Sequence, residues 1–240
     1  MMRLYHGGPS GHSASVLMAL AEKGIEHEDH PVDLAAFEQH GEAFLAINPT
    51  GQVPVLEVDG RRLTETFFIL LYLDERFPEP ALGGADPRAR YAVQKWGKYV
   101  ETHIAPNLAL VEWAMRGTLA DGAIAGLDRL PPERRALWAK AGAGLGSDEV
   151  ETARAALAKA VGRIAEDLVG QPWLAGDAYS LADIIVFPHA ARLAAAGIDV
   201  PAAVQDWLER VRARPHVREA LGQGPGRSFV TMGPEKGRWG

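Results

Sequence analysis

The apolar rhythm of this chain changes once, across Pro78-Glu79-Pro80-Ala81-Leu82-Gly83-Gly84-Ala85-Asp86-Pro87. Three prolines and two glycines within ten residues can continue neither a helix nor a central strand, so the stretch reads as a linker. On its N-terminal side, short apolar runs alternate between strand and helix spacing; on its C-terminal side only the helical period recurs. The pattern predicts an α/β domain over residues 1–80, an all-α domain over residues 86–225 and an irregular tail over residues 226–240. Charge divides the same way: residues 1–80 hold 5 basic and 13 acidic side chains, residues 81–240 hold 20 and 18.

In the first part the predicted order is βαβ, α, ββα. Arg3 to His6 is a short strand, closed by the loop Gly7-Gly8-Pro9-Ser10-Gly11. From His12 onward Val16, Leu17, Leu20 and Ala21 recur at helical spacing, and Lys23-Gly24 reads as a helix stop, a cation followed by glycine. Ile25 to Val32 and Val53 to Val58 read as strands, Phe37 to Ile47 as a weak helix, Asp59-Gly60 as a hairpin turn and Glu65 to Arg76 as a buried helix. In the second part Ala89 to Met115 is one helix or two, kinked at Pro106. Glu133 to Ala141, the amphipathic run Ala153 to Leu168, the segment opened by Ser180-Leu181-Ala182-Asp183, and Pro201 to Arg214 supply the remaining helices.

Composition narrows the chemistry. There is no cysteine, which excludes disulfides, thiolate metal sites and a cysteine nucleophile; thiol chemistry must use a thiol that arrives from outside. A formal net charge of −6 gives a nucleic-acid role no electrostatic support. No apolar run approaches a membrane span, and the start Met1-Met2-Arg3-Leu4-Tyr5-His6 lacks the apolar core of a signal peptide, so a cytoplasmic protein without membrane contact is expected. His27 and His30, three apart in a strand, face opposite sides, and no metal site is expected.

Three stretches carry candidate chemistry. The segment Gly7 to Ser15 joins a strand to a helix N-terminus, where unpaired N–H groups and the positive dipole end favour an anion. Ser10, His12, Ser13 and Ser15 add side-chain donors there. Lowering a thiol from about 8.5 to about 6.5 needs roughly 2.7 kcal/mol. One charge-assisted hydrogen bond supplies about 1.5–3 kcal/mol, and the dipole roughly 0.3–1 kcal/mol. The same serines equally suit plain helix capping. In Asn48-Pro49-Thr50-Gly51-Gln52-Val53-Pro54 a proline opens a strand, and a cis Val53–Pro54 bond would free the Val53 N–H and C=O for a peptide ligand. Glu65-Thr66 at a helix start suits either capping or an amino-acid head group, Thr66 on the carboxylate and Glu65 on the ammonium.

Together these motifs resemble the glutathione transferases. Leu4 to Asp74 is similar to the family's thioredoxin-like domain, and Trp173-Leu174-Ala175-Gly176-Asp177-Ala178-Tyr179-Ser180-Leu181-Ala182-Asp183-Ile184 resembles its folding motif, a capping box on a buried helix. Phe37-Glu38-Gln39-His40, the run Ile47 to Pro54, and the long segment with Trp138 resemble the bacterial β-etherases, which cleave lignin-derived β-aryl ethers.

The resemblance implies an α/β thioredoxin-like N-terminal domain plus an all-α C-terminal domain, with glutathione as co-substrate. Val53 would bind the cysteinyl backbone beside a cis Pro54, and Glu65 and Thr66 the γ-glutamyl end. Gln39, His40 and Gln52 would sit near the glycyl end, and Ser13, with His12 beside it, would face the sulfur. A small aromatic second substrate is implied for the helical domain, with Trp113, Trp138, Tyr99 and Met115 as pocket candidates, Trp96 and His103 nearby, and Phe229, Met232 and Trp239 as a cover. A dimer, with a second copy or a related chain, is implied as well. Two residues depart from the pattern: Thr66 stands where the family usually has serine, followed by the bulky Phe67 and Phe68, and His12 stands where β-etherases tend to have asparagine. The implied reaction is thiolate displacement on an aromatic electrophile, most specifically β-aryl ether cleavage. The alternatives are a catalytically weak subunit acting as a structural partner, and a transferase for halogenated or epoxide substrates.

Overall fold

The computed structural model describes residues 2–8, 10–117 and 126–222. Met2–His6 (β1), Glu28–Pro31 (β2), Val55–Val58 (β3) and Arg61–Leu63 (β4) form one mixed sheet in the order β2-β1-β3-β4. β1 and β2 run parallel, with Leu4 opposite Asp29, while β3 is antiparallel to both β1 and β4. A parallel pair needs a crossover, supplied by the helix Gly11–Glu22 (α1). The hairpin turns on Asp59 and Gly60, both at positive φ (51° and 79°), the twist an Asp-Gly turn favours. Glu42–Leu45 (α2) and Thr66–Arg76 (α3) complete the domain. The weak helix expected over Phe37 to Ile47 is divided instead. Phe37 adopts a left-handed φ of 56°, a 3₁₀ turn covers Glu38–His40, and the extended Gly41 separates it from α2.

The second domain contains Pro87–Tyr99 (α4), Ala105–Arg116 (α5), Pro132–Ala143 (α6), Ser147–Asp167 (α7), Leu181–Ala190 (α8), Ala202–Arg212 (α9) and Pro215–Ala220 (α10). Between α4 and α5 lies a π-helical turn at Val100–Ile104. Pro106 sits just after it, in the first turn of α5, where its missing N–H is no loss. Every residue of α8 is buried, as expected of a helix that is apolar all round. Its start is the predicted capping box: Ser180 Oγ accepts from Ala182 N–H at 3.2 Å and Asp183 Oδ2 from Ser180 N–H at 3.0 Å. Asp183 Oδ1 also accepts from Leu174 N–H at 3.0 Å and Trp207 Nε1–H at 2.9 Å. Burial pushes the Asp183 carboxyl up to about 6 against these stabilising donors.

The linker does not separate two cores. One apolar cluster runs from Leu4, Leu17 and Ile69 through Trp96 and Ile104 to Phe187 and Trp207. Lys23, the cation of the predicted helix stop, is buried at its head. Its Nζ donates to the Phe77 and Pro80 carbonyls (2.7 and 2.8 Å) and pairs with Asp74 at 2.7 Å, so it fastens the linker. Arg214 is likewise a bridge: its guanidinium donates to both oxygens of Glu22 on α1 (2.7 and 2.8 Å) and lies 3.8 Å from the Tyr179 ring centre. Ser15 Oγ donates within α1 to Gly11 O and is also 3.2 Å from Ile184 O of α8. The Ser15 contact holds the start of α1 against α8, and the Lys23 and Glu22 contacts hold its end.

Candidate active site

A cleft of about 730 Å³ opens between the domains. Its first-domain wall contains Ser10, Gly11, His12, Gln39, Gln52, Val53, Pro54, Glu65 and Thr66. Its helical wall is built by Glu112, Trp113 and Arg116 of α5, Arg134, Leu137 and Trp138 of α6, and His189 and Arg192 at the end of α8.

At the start of α1, Ser10 is the N-cap; its Oγ accepts the Ser13 N–H at 3.2 Å, leaving its own hydrogen for a ligand in the cleft. Ser13, expected at the sulfur, is fully buried, does not line the cleft, and accepts the Gly7 N–H at 3.3 Å. Ser15 is turned inward too, because the first turn of α1 packs onto α8. Of the four donors read from the sequence, Ser10 and His12 reach the cleft.

The His12 ring meets His189 edge-on, with centroids 4.9 Å apart. Enclosure lowers its pKa to about 4, the Arg192 charge adding to the effect, so the imidazole is neutral at pH 7. His189 is displaced in the same direction by burial, then by His12 and Arg192. His189 Nδ1–H donates to Ile185 O at 3.1 Å, which fixes the ring. Gly11 is needed here, since a Cβ would lie 2.7 Å from His189 Nε2. His189 is both buried and part of the cleft lining.

At the peptide end, the Val53–Pro54 bond is cis. Asn48 braces the preceding loop, with Nδ2 donating to Gln52 O at 2.8 Å and Oδ1 accepting from Thr50 N–H and Oγ1–H. Glu65 holds φ 65°, ψ 100°, unusual for a non-glycine residue, and Thr66 begins α3. Glu101, in the π-turn, accepts the Phe67 N–H at 3.3 Å. Burial raises the Glu101 carboxyl, the Phe67 bond opposing and the Glu65 charge adding. The Phe67 ring packs on Gly97, where a Cβ would come within 2.3 Å of it, and Phe68 is 64% exposed. Neither lines the cleft, so neither crowds Thr66. Gln39 lines the cleft with its Oε1 buried and unpartnered. His40 lies behind the wall, against Phe37 and Trp138.

At the aromatic end, Trp113 and Trp138 stand edge to face, 5.0 Å apart, and Trp138 meets Phe37 at 5.7 Å. The other pocket candidates lie elsewhere. Tyr99 stacks on His103 outside the cleft, Met115 is 53% exposed, and Trp96 is core, its Nε1–H on Asp167 at 2.9 Å. Phe229, Met232 and Trp239 fall outside the described residues. The sequence reading named none of Glu112, Arg116, Arg134 and Arg192 as cleft residues. Arg192 donates to Glu112 in a buried pair, and burial pushes the Glu112 carboxyl up despite it. Spacing carried part of the signal: Arg116 is three residues from Trp113 and Arg134 four from Trp138, hence on the same helix faces.

Residues 1–75 match the family model described as the N-terminal domain of glutathione S-transferase, and residues 138–215 match that of its C-terminal domain. The chain belongs to the glutathione S-transferase family. It is a glutathione transferase, with glutathione as co-substrate. Protein LigF of Sphingobium sp. strain SYK-6 is 32% identical over 236 residues, 91% of this chain and 92% of that protein. The crystal structure of beta-etherase LigF from that strain aligns with a TM-score of 0.84 at 32% identity, covering 92% of this chain and 98% of the other. Maleylacetoacetate isomerase of Pseudomonas aeruginosa is 32% identical over 228 residues, 91% of this chain and 95% of the isomerase.

Proposed function

We propose that this transferase cleaves β-aryl ethers by displacement with the glutathione thiolate. The observation that carries the reading is one continuous cleft joining a helix N-terminus capped by Ser10, the cis Val53–Pro54 segment and the Trp113–Trp138 pair. The similarity to LigF supports it.

Thr66, through its hydroxyl and its own N–H at the start of α3, takes the γ-glutamyl carboxylate, and Glu65, with Glu101 close by, takes the ammonium. Val53 pairs with the cysteinyl backbone. Gln39 and Gln52 face the glycyl end, with His40 supporting them from behind. The sulfur lies at the start of α1, where the Ser10 hydroxyl and the helix dipole favour its ionised form. Ser10 takes the role expected of Ser13, and His12 contributes a neutral ring rather than a charge. The thiol proton passes to solvent. The sulfur lone pair then forms a C–S bond at the β-carbon as the C–O bond breaks, and the departing aryloxide takes a proton from solvent. Positioning between the two walls and prior ionisation account for the rate.

The test has two stages. Calorimetry on the purified chain is expected to show saturable glutathione binding with proton release near neutral pH. A β-aryl ether dimer is then expected to release its phenol in a glutathione-dependent way, about tenfold to a hundredfold more slowly in Ser10→Ala. Turnover of an activated aryl halide or of maleylacetoacetate without phenol release refutes the ether reading. Absence of binding at millimolar glutathione leaves the structural-partner alternative. Sedimentation of the chain alone tests the dimer.

A further inference from the structure

The helical wall of the cleft carries charge that displacement on a neutral aryl ether does not use. On α5, Trp113 and Arg116 are three residues apart; on α6, Arg134 and Trp138 are four apart. Each helix therefore offers one indole and one guanidinium on a single face, and all four side chains line the cleft. The indoles touch, and Arg116 lies over the Trp113 ring at 4.4 Å. Two carboxylates of the helical part line the cleft: Glu112, engaged by Arg192 and acting on Arg116, and Glu101 of the π-turn, which accepts the Phe67 N–H. Arg134 stands apart. Burial alone lowers its pKa, no acidic side chain among the described residues acts on it, and its Nε is buried without a partner. The Nε1 of Trp138, one turn along the same face, is also buried and unpartnered.

A guanidinium stays charged at neutral pH, so this wall holds a positive charge partly out of water with donors unmet. Such a group is stabilised by an entering oxyanion, which replaces lost hydration with charge-assisted hydrogen bonds. We propose that the α5–α6 end of the cleft is an anion subsite, in which Arg134, assisted by Arg116, binds a carboxylate or phenolate oxygen of the aromatic second substrate while its ring lies against Trp113 and Trp138. The inference rests on the transferase reading of the same cleft and adds the substrate class, an anionic aryl compound. The glycyl carboxylate of glutathione is the other possible source of such an anion. The indole pair flanking the guanidiniums favours the aryl compound.

Two β-aryl ether dimers, identical except for a para-carboxylate or its methyl ester on the leaving ring, are compared at saturating glutathione. In parallel, calorimetry compares 4-hydroxybenzoate with 4-hydroxybenzamide. The wild type is expected to prefer the acid of each pair by about tenfold or more, and the preference weakens as salt is raised. In Arg134→Gln the ratio falls towards one; Arg134→Lys keeps part of it, and Arg116→Gln lowers it in part. No preference in the wild type, or a preference that survives Arg134→Gln, overturns the proposal. So does an Arg134→Gln variant that binds glutathione more weakly but γ-glutamylcysteine unchanged, which assigns the side chain to the glycyl carboxylate. Failure of the transferase reading is distinct: neither ether is turned over, while the benzoate–benzamide comparison still reads the subsite.

Discussion

His12→Asn removes an imidazole whose protonation the fold opposes. Its pKa falls from 6.5 to about 4, through enclosure first and the Arg192 charge second. The folded value lies below the unfolded one, so on acidification the unfolded chain binds this proton first. The stabilisation is complete above the unfolded value and is lost as the pH falls from about 6.5 through about 4. Between pH 7 and pH 5 the linkage amounts to about 1–2 kcal/mol, the lower figure allowing for the solvated, cleft-facing edge of the ring. His189 contributes in the same direction. Asp183, pushed up to about 6, acts oppositely, because protonation relieves a buried carboxylate and stabilises the fold as the pH drops towards its unfolded value. The pH dependence of the wild type therefore mixes terms of both signs, and the difference from His12→Asn isolates one. Urea unfolding followed by circular dichroism at pH 7 and pH 5 measures it, provided the m-values agree. The wild type is expected to lose about 1–2 kcal/mol more than the variant over this interval. Equal losses would show that the imidazole titrates normally in the folded chain, and the neutral ring beside the thiolate would go with the argument.

Other substitutions probe the frame around the cleft. Gly11→Ala sets a Cβ 2.7 Å from His189 Nε2, on a ring tethered to Ile185 O, and is expected to lower stability by about 1–3 kcal/mol in a thermal melt; a neutral result would mean the ring is free to withdraw. Asp183→Ala strands the Leu174 and Ser180 N–H groups and the Trp207 Nε1–H, and is expected to cost about 3 kcal/mol or more in urea unfolding. Thr66→Ser, which restores the residue usual in the family, is expected to change the glutathione dissociation constant by less than about threefold, since Phe67 and Phe68 both turn away.

What was legible in the sequence was what neighbours in the chain decide. Asp59-Gly60, the Ser180–Asp183 box and the start of α1 are local signals, and each forms where expected. The assignment of roles within α1 was not local. Ser10 and Ser13 are equally good donors on paper, and only in the fold is Ser13 buried against the Gly7 N–H while Ser10 stays at the cleft. Lys23 and Arg214 look like surface charges until the linker carbonyls and Glu22 arrive from distant parts of the chain. Arg134, beside Arg135 in a polar helix, has the composition of a solvated face; its partial burial depends on where the second domain meets the first.

At the α6 end of the cleft, residues 126–130 reach the first domain. Gly51 and Gly126, both at positive φ, permit it: a Cβ on Gly51 would come within 2.9 Å of Leu130, and one on Gly126 within 2.7 Å of His40 O. Trp138 then touches Phe37 and His40 on one side and Trp113 on the other. The loop that carries Gln39 and the wall that faces the second substrate therefore share one indole, whereas Trp113 belongs to the helical wall alone. Trp138→Ala is accordingly expected to raise KM for both glutathione and the aryl ether, and Trp113→Ala for the ether alone, each by about tenfold for a lost aromatic contact. If both variants leave glutathione KM unchanged, the indole does not brace the co-substrate loop, and the two halves of the cleft act independently.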